Sequence, residues 1–186
     1  MGIDFVTDDS DALLVSRVVA GEQEVYARLV ERYRDRLGRY ALRMLGNRAD
    51  AEDALQDTFV RAYRSIANCT KPEGFGAWAF GILVNRCRTH AARRARTNGV
   101  LVASDVAMAN ASVDHSADRD ATRDAINWAL YQLPADQREA FLLKHVEDLS
   151  YETMETITGV RPSALRMRVF RAREELRKLL AEEVRD

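Results

Sequence analysis

Leu149-Ser-Tyr-Glu-Thr-Met-Glu-Thr-Ile-Thr-Gly-Val-Arg-Pro-Ser-Ala-Leu-Arg-Met-Arg-Val-Phe-Arg-Ala-Arg173 is the stretch that decides the fold of this 186-residue chain. Ser150 suits the N-cap of a short helix, where its hydroxyl accepts a bond from a backbone N–H that otherwise lacks a partner. Gly159 ends that helix, and Pro162 suits the first position of the next one, whose N–H would be unsatisfied anyway. Leu165, Val169, Ala172, Leu176 and Leu179 follow at spacings of 4, 3, 4 and 3, so they share one face and pack inward. Ser163, Arg166, Met167, Phe170 and Arg171 are rotated away from that face and exposed together near the helix start. Helix, turn and longer helix form the layout of a helix-turn-helix, whose second helix enters the major groove of duplex DNA. Arg166 and Arg171 suit guanine edges or phosphates, and Phe170 suits a thymine methyl. A solvated basic helix with no ligand carries the same residues.

Working outward, the apolar period stays near 3.6 and nothing alternates convincingly as a strand, so the expected class is all-α. Val25, Tyr26, Leu29, Val30, Tyr33, Leu37, Tyr40, Ala41, Met44 and Leu45 step along one helical face that Gly46-Asn47 ends. A second helix is expected from about Asp50, with Ala51, Leu55, Phe59, Ala62 and Ile66 as its buried stripe. The Pro and Gly in 67–74 break the periodicity into a loop. Phe75 to about Arg96 then reads as a helix that packs Ala79, Ile82, Leu83 and Val84. A further helix is expected over Asp118 to Leu133, and Pro134 opens another that ends near Val146.

Between these halves, 97–117 is rich in small and polar residues and keeps no face. Such a segment reads as a flexible linker, about 70 Å long when extended and about 25 Å as a coil. The expected organisation is two small helical domains, 1–96 and 118–186, joined by the linker 97–117. Charge divides the same way. The net charge is -1, from 28 Lys+Arg against 29 Asp+Glu, yet 74–104 holds no acid while Arg86, Arg88, Arg93, Arg94 and Arg96 crowd into it. From Arg161 to Lys178 there are seven basic residues and only Glu174 and Glu175 against them. Two cationic segments on an acidic body are the footprint of a nucleic-acid partner, which the net figure conceals.

The first cationic segment differs in kind from the second. Trp78, Ile82 and Asn85 recur at steps of 4 and 3, so Trp78 and Asn85 share a face that leads into the arginine cluster. An aromatic ring beside an amide and arginines suits unstacked single-stranded bases. A core tryptophan followed by arginines that solubilise a helix end is the plain alternative.

Other classes fit poorly. The 47% apolar and 31% charged composition is that of a globular protein. No apolar run approaches the roughly 18 residues of a membrane span, and an acidic N-terminus is not a secretory signal, so a cytoplasmic location without membrane insertion is expected. There is no Gly-rich phosphate loop and no paired-carboxylate site, and His90, His115 and His145 lack a nucleophile at recognisable spacing, so no enzyme and no cofactor are expected. Cys87 and His90 with Cys69 make at best an incomplete metal site, and ordinary buried thiols are expected instead. A dimeric helix-turn-helix repressor or activator remains the competing reading of the C-terminal half.

Asp50-Ala-Glu-Asp-Ala-Leu-Gln-Asp-Thr-Phe-Val-Arg-Ala-Tyr-Arg-Ser-Ile66, Phe75-Gly-Ala-Trp-Ala-Phe-Gly-Ile-Leu-Val-Asn-Arg86, Leu133-Pro134 and the Leu-Ser-Tyr helix-turn-helix together resemble the bacterial extracytoplasmic-function sigma factors, of the sigma-70 family. The motifs stand in that family's order over about residues 10–96 and 118–180. The resemblance implies a region 2 that docks on core RNA polymerase and recognises and melts the −10 element. It also implies a region 4 that reads the duplex −35 element, and an anti-sigma factor that restrains the free protein. By motif position, polymerase docking falls to Asp53, Gln56, Asp57, Arg61 and Arg64. Single-stranded −10 contacts fall to Trp78 and Asn85, joined by the nearby Arg86, Arg88 and Arg93, with 68–74 as the pocket for a flipped base. The −35 readers are Ser163, Arg166, Met167, Phe170 and Arg171. Two features depart from the family pattern. Val160-Arg-Pro-Ser-Ala164 shifts the proline by one position and replaces the usual Gly and Thr, and Met167 stands where a small hydroxyl residue is common. Both bear on the −35 sequence rather than on the docking mode.

Overall fold

A computed structural model of the chain describes residues 9–98 and 117–183, and these contain helices and no strand. α1 (Asp11–Val19) was not foreseen from the sequence. Its Ser10 cap accepts from the Leu13 N–H, and its buried residues Leu14, Val15 and Val18 have helical spacing. α2 (Tyr26–Leu45) follows the expected face and stops at Gly46, whose left-handed backbone returns its N–H to the Leu42 carbonyl. α3 (Arg48–Arg64) starts two residues before the expected point, because Asn47 caps it by accepting the Asp50 N–H at 3.0 Å. Its buried stripe runs through Ala51, Ala54, Thr58, Phe59 and Ala62, with Leu55 only half-buried. Thr58 is accommodated because its hydroxyl donates to the Ala54 carbonyl at 2.7 Å. The expected loop contains two short 3₁₀ turns, Ile66–Asn68 and Pro72–Gly74, before α4 (Phe75–Asn98).

In the second half, α5 (Ala117–Gln132) leads through Leu133-Pro134 to α6 (Ala135–Phe141). α6 continues as a wider π-helical segment, Leu142–Val146. α7 (Tyr151–Thr158) is capped by Ser150 and closed by left-handed Gly159, and α8 (Pro162–Glu183) follows. Leu165, Val169, Ala172 and Leu176 of α8 are buried and Leu179 is half-buried, as its spacing predicts. α8 packs on α5, α6 and α7.

The two halves meet through a polar joint. Arg138 of α6 is buried and donates to the Tyr131 and Leu133 carbonyls of its own half and to the Met44 carbonyl at the end of α2. Its guanidinium also lies 4.5 Å from the Tyr131 ring centroid. Burial pulls the Arg138 pKa below the ordinary arginine value. Arg88 of α4 forms a two-pronged pair with the carboxylate of Glu139, both bonds at 2.7 Å, and donates to the Thr158 carbonyl at the end of α7. Arg36 of α2 adds a 2.7 Å ion pair with Glu147. The expected linker lies mostly outside the described residues, as does His115; Thr97 and Asn98 end α4 and Ala117 begins α5.

Gly46 sits in this joint under two constraints. Its φ is +67°, and a Cβ there would lie 2.2 Å from the Tyr131 ring. Gly46→Ala is therefore expected to lower stability by about 1–2 kcal/mol from the left-handed backbone alone, with more added by displacement of Tyr131. Denaturant unfolding of the variant against the parent measures it, and an unchanged midpoint would contradict the packing described.

Candidate nucleic-acid interface

α8 presents its predicted readers as one row. Ser163, Arg166, Met167, Phe170 and Arg171 are all exposed, and Met167 and Phe170 retain 50% and 58% of their accessible surface. Two large apolar side chains left in water one turn apart, flanked by arginines, form a surface that gains by meeting an uncharged base edge beside a phosphate. The neighbouring Arg168 is committed elsewhere, its Nε 3.2 Å from the Asp136 carboxylate. Arg166 instead lies over an aromatic face, its guanidinium carbon 5.0 Å from the Tyr151 ring centroid. Glu152, which follows Tyr151, is held below the usual carboxylate range by its own backbone N–H and the Ser150 hydroxyl, helped by the field of Arg166 and Lys144.

On α4 the predicted group separates. Trp78 is half-buried against Phe75, with ring centroids 5.8 Å apart, so it serves the core with one side and keeps the other at the surface. Asn85, two turns on, is exposed. Arg86 is half-buried, with one guanidinium nitrogen 3.5 Å from Asp57 and its Nε enclosed without a partner. Arg93 is exposed. Arg88 turns to the other half of the molecule, into the Glu139 pair. Two tight approaches shape the N-terminal end of α4: Tyr33 lies where a Cβ on Gly76 would fall, and the Tyr33 hydroxyl donates to Asp11.

α3 carries the predicted docking residues on its outer surface. Asp53, Gln56, Arg61 and Arg64 are exposed, and Asp57 is half-buried. Arg61 Nε donates to both Asp57 carboxylate oxygens, at 2.9 and 3.0 Å. With Arg86 close by as well, Asp57 is held below the ordinary carboxylate value despite partial burial. Sequence reasoning missed Val60, which is 41% exposed between Gln56 and Arg64 on this face. An apolar residue off the buried stripe was the available signal.

The candidate metal residues do not converge. Cys69 and Cys87 are both buried free thiols. Burial pushes Cys87 up to about 12 and raises Cys69 too, so both are protonated at neutral pH. His145 packs at a tilt against Phe141, with ring centroids 4.9 Å apart, and burial with nearby Arg173 and Lys144 favours its neutral form. Among the described residues no group of three or more His, Cys, Asp and Glu side chains is arranged to hold a metal ion. No helix among them is long and apolar enough to cross a membrane.

Residues 29–97 match sigma-70 region 2 and residues 123–176 match sigma-70 region 4. The RNA polymerase sigma-H factor of Pseudomonas aeruginosa is 31% identical over 94% of this chain and 96% of its own length. The RNA polymerase sigma factor CarQ of Myxococcus xanthus is 32% identical over 87% of this chain and 92% of its own. Among solved structures, the sigma factor RpoE in complex with the anti-sigma factor NepR from Bartonella quintana aligns with a TM-score of 0.69. That alignment is 28% identical and covers 84% of this chain and 96% of the other. CnrH in complex with the cytosolic domain of CnrY aligns with a TM-score of 0.66 at 26% identity, covering 94% and 99%. With both sigma domains in order and relatives that match along nearly their whole length, this chain belongs to the extracytoplasmic-function sigma factors and supports promoter-specific transcription initiation by RNA polymerase.

Proposed function

We propose that the chain divides initiation among three faces, with its domains bounded near residues 96 and 117. The α3 face of Asp53, Gln56, Asp57, Arg61 and Arg64, centred on Val60, docks on core polymerase. The α8 row of Ser163, Arg166, Met167, Phe170 and Arg171 enters the major groove of the −35 element. Trp78 and Asn85, with Arg86 and Arg93, receive unstacked −10 bases next to a pocket built from 68–74. The exposed α8 row on a buried Leu165–Leu176 spine carries this reading, because it joins base-edge donors and apolar contacts on a rigid support.

The protein makes and breaks no bond in this scheme. It acts without a cofactor, in the cytoplasm, and melts DNA by binding the open form more tightly than the closed one. Arg88 can add to the −10 contact only after α4 parts from both α6 and α7, because Glu139 of α6 and the Thr158 carbonyl of α7 hold its guanidinium in the closed arrangement. An anti-sigma factor is the expected restraint on the free protein, in keeping with the complex of RpoE with the anti-sigma factor NepR.

Run-off transcription with purified core polymerase on a genomic library tests the whole scheme and yields the promoter. A sigma factor confers discrete start sites, whereas a dimeric repressor binds duplex DNA and ignores core enzyme. Val60→Asp tests the docking face. A charge buried in an interface without a partner is expected to weaken binding to core polymerase by about tenfold or more, while melting temperature stays within about 2 °C because the site is exposed. Unaltered core affinity would remove Val60 from the face.

A further inference from the structure

Tyr151 is the first residue of α7, fixed in place by the Ser150 cap and half-buried against the core. Two cations converge on its ring. Arg166 approaches from α8, with its guanidinium carbon 5.0 Å from the centroid, and Lys144 Nζ approaches from the π-helical segment at 5.4 Å. Lys144 is itself anchored, donating to the Leu149 carbonyl at 3.0 Å. Among the described residues no carboxylate lies within ion-pair distance of Arg166, whereas Arg168 is tied to Asp136, Arg177 to Glu174 and Lys178 to Glu175.

The manner of restraint matters to a base reader. A carboxylate partner takes up the in-plane N–H donors of a guanidinium, the same donors that a guanine O6/N7 edge requires. An aromatic face attracts the cation through its quadrupole and restricts the side chain while leaving those donors free. We propose that Tyr151 is a positioning residue for −35 recognition, stacking Arg166 so that its donor edge is presented to a base, while Arg166 makes the contact itself. This assignment rests on the −35 reading above and extends it to a residue on the first helix of the motif.

The test uses the full chain bound to core polymerase and a duplex library with a randomised −35 block, read as base preference at each position. Four variants are compared with the parent: Arg166→Ala, Tyr151→Phe, Tyr151→Leu, and pentafluorophenylalanine at position 151, which keeps the ring shape and inverts its quadrupole. Arg166→Ala defines the positions that Arg166 reads. Tyr151→Leu and the fluorinated ring are expected to weaken preference at those same positions by about two- to fivefold, and Tyr151→Phe to retain it. Tyr151→Leu added to Arg166→Ala is expected to cause no further change in preference. Uniform loss of affinity across all sequences would overturn the proposal in favour of a phosphate or packing role for Tyr151. So would a fluorinated ring that behaves like phenylalanine, a comparison between two rings of one shape that does not depend on the leucine variant folding. If Arg166→Ala itself changes no preference, the −35 reading fails along with this assignment; if only the ring variants are silent, this assignment fails alone.

Discussion

Trp78→Ala is expected to cut affinity for a pre-melted −10 strand by about five- to 150-fold, the range for losing one base–aromatic stack. Binding to a duplex −35 element by the same holoenzyme is expected to stay within about twofold, because α8 is a separate contact. The ring is well placed for this division of labour. Phe75 supports it at 5.8 Å and holds it rigid, while its half-burial leaves an accessible side near the exposed Asn85. A preformed platform stacks a base without the entropic cost of ordering a loose side chain. Truncation also removes packing, so Trp78→Phe is the companion variant and is expected to recover part of the open-strand affinity. Fluorescence of 2-aminopurine in the −10 strand reports the effect directly. Equal losses on duplex −35 and pre-melted −10 DNA would contradict the assignment of Trp78 to open strands.

Arg88→Met is expected to destabilise the closed arrangement of the two halves by about 2–3 kcal/mol. Stranding one partner of a fully buried ion pair costs about 3–5 kcal/mol, and the figure is reduced here because the Arg88 side chain is 35% exposed. Glu139 is only 3% exposed, so removal of the guanidinium leaves a carboxylate with little access to water. The Thr158 carbonyl loses its donor in the same substitution. Unfolding in denaturant, followed by separate probes in the two halves, is expected to change from a shared transition to two staggered ones. Adding Glu139→Leu is expected to restore most of the loss, since an apolar pair avoids the stranded charge. A loss below about 0.5 kcal/mol for Arg88→Met would mean that the halves stand apart in solution.

The positions of the helices were legible to the extent that their burial is periodic. α8 shows this best: Leu165, Val169, Ala172 and Leu176 went inward and Arg166, Met167, Phe170 and Arg171 stayed out, because residues three or four apart share a helix face whatever surrounds them. Where the buried residue was small or polar the pattern failed. Ala54 and Thr58 line the α3 core without a strong hydrophobic signature, and Thr58 belongs there only because its hydroxyl bonds back to Ala54. Gly46-Asn47 after an apolar run has the pattern of a helix stop, yet the Asn47 side chain opens α3. α1 carries little periodic signal because its three buried residues sit in a short, mixed segment.

The candidate sites divide along the same line. The exposed α8 face proposed for the −35 element needed only local periodicity and a turn to be seen. Among the α4 arginines, nothing local marks Arg88 as the one bound to Glu139, 51 positions away. Arg138 gave no sign that it would be buried, since one of its acceptors, the Met44 carbonyl, is 94 residues away.

By itself, then, the order of residues determined the helical class, the inward and outward faces of α8, and the cationic character of both α4 and α8, because helix geometry converts spacing into sidedness without reference to the rest of the chain. Tertiary structure alone decided which cations are consumed within the protein, as Arg88, Arg138 and Arg168 are. The physical reason is reach: a charge-assisted hydrogen bond acts over about 3 Å, so the fate of each arginine depends on what the packing of two distant segments brings that close.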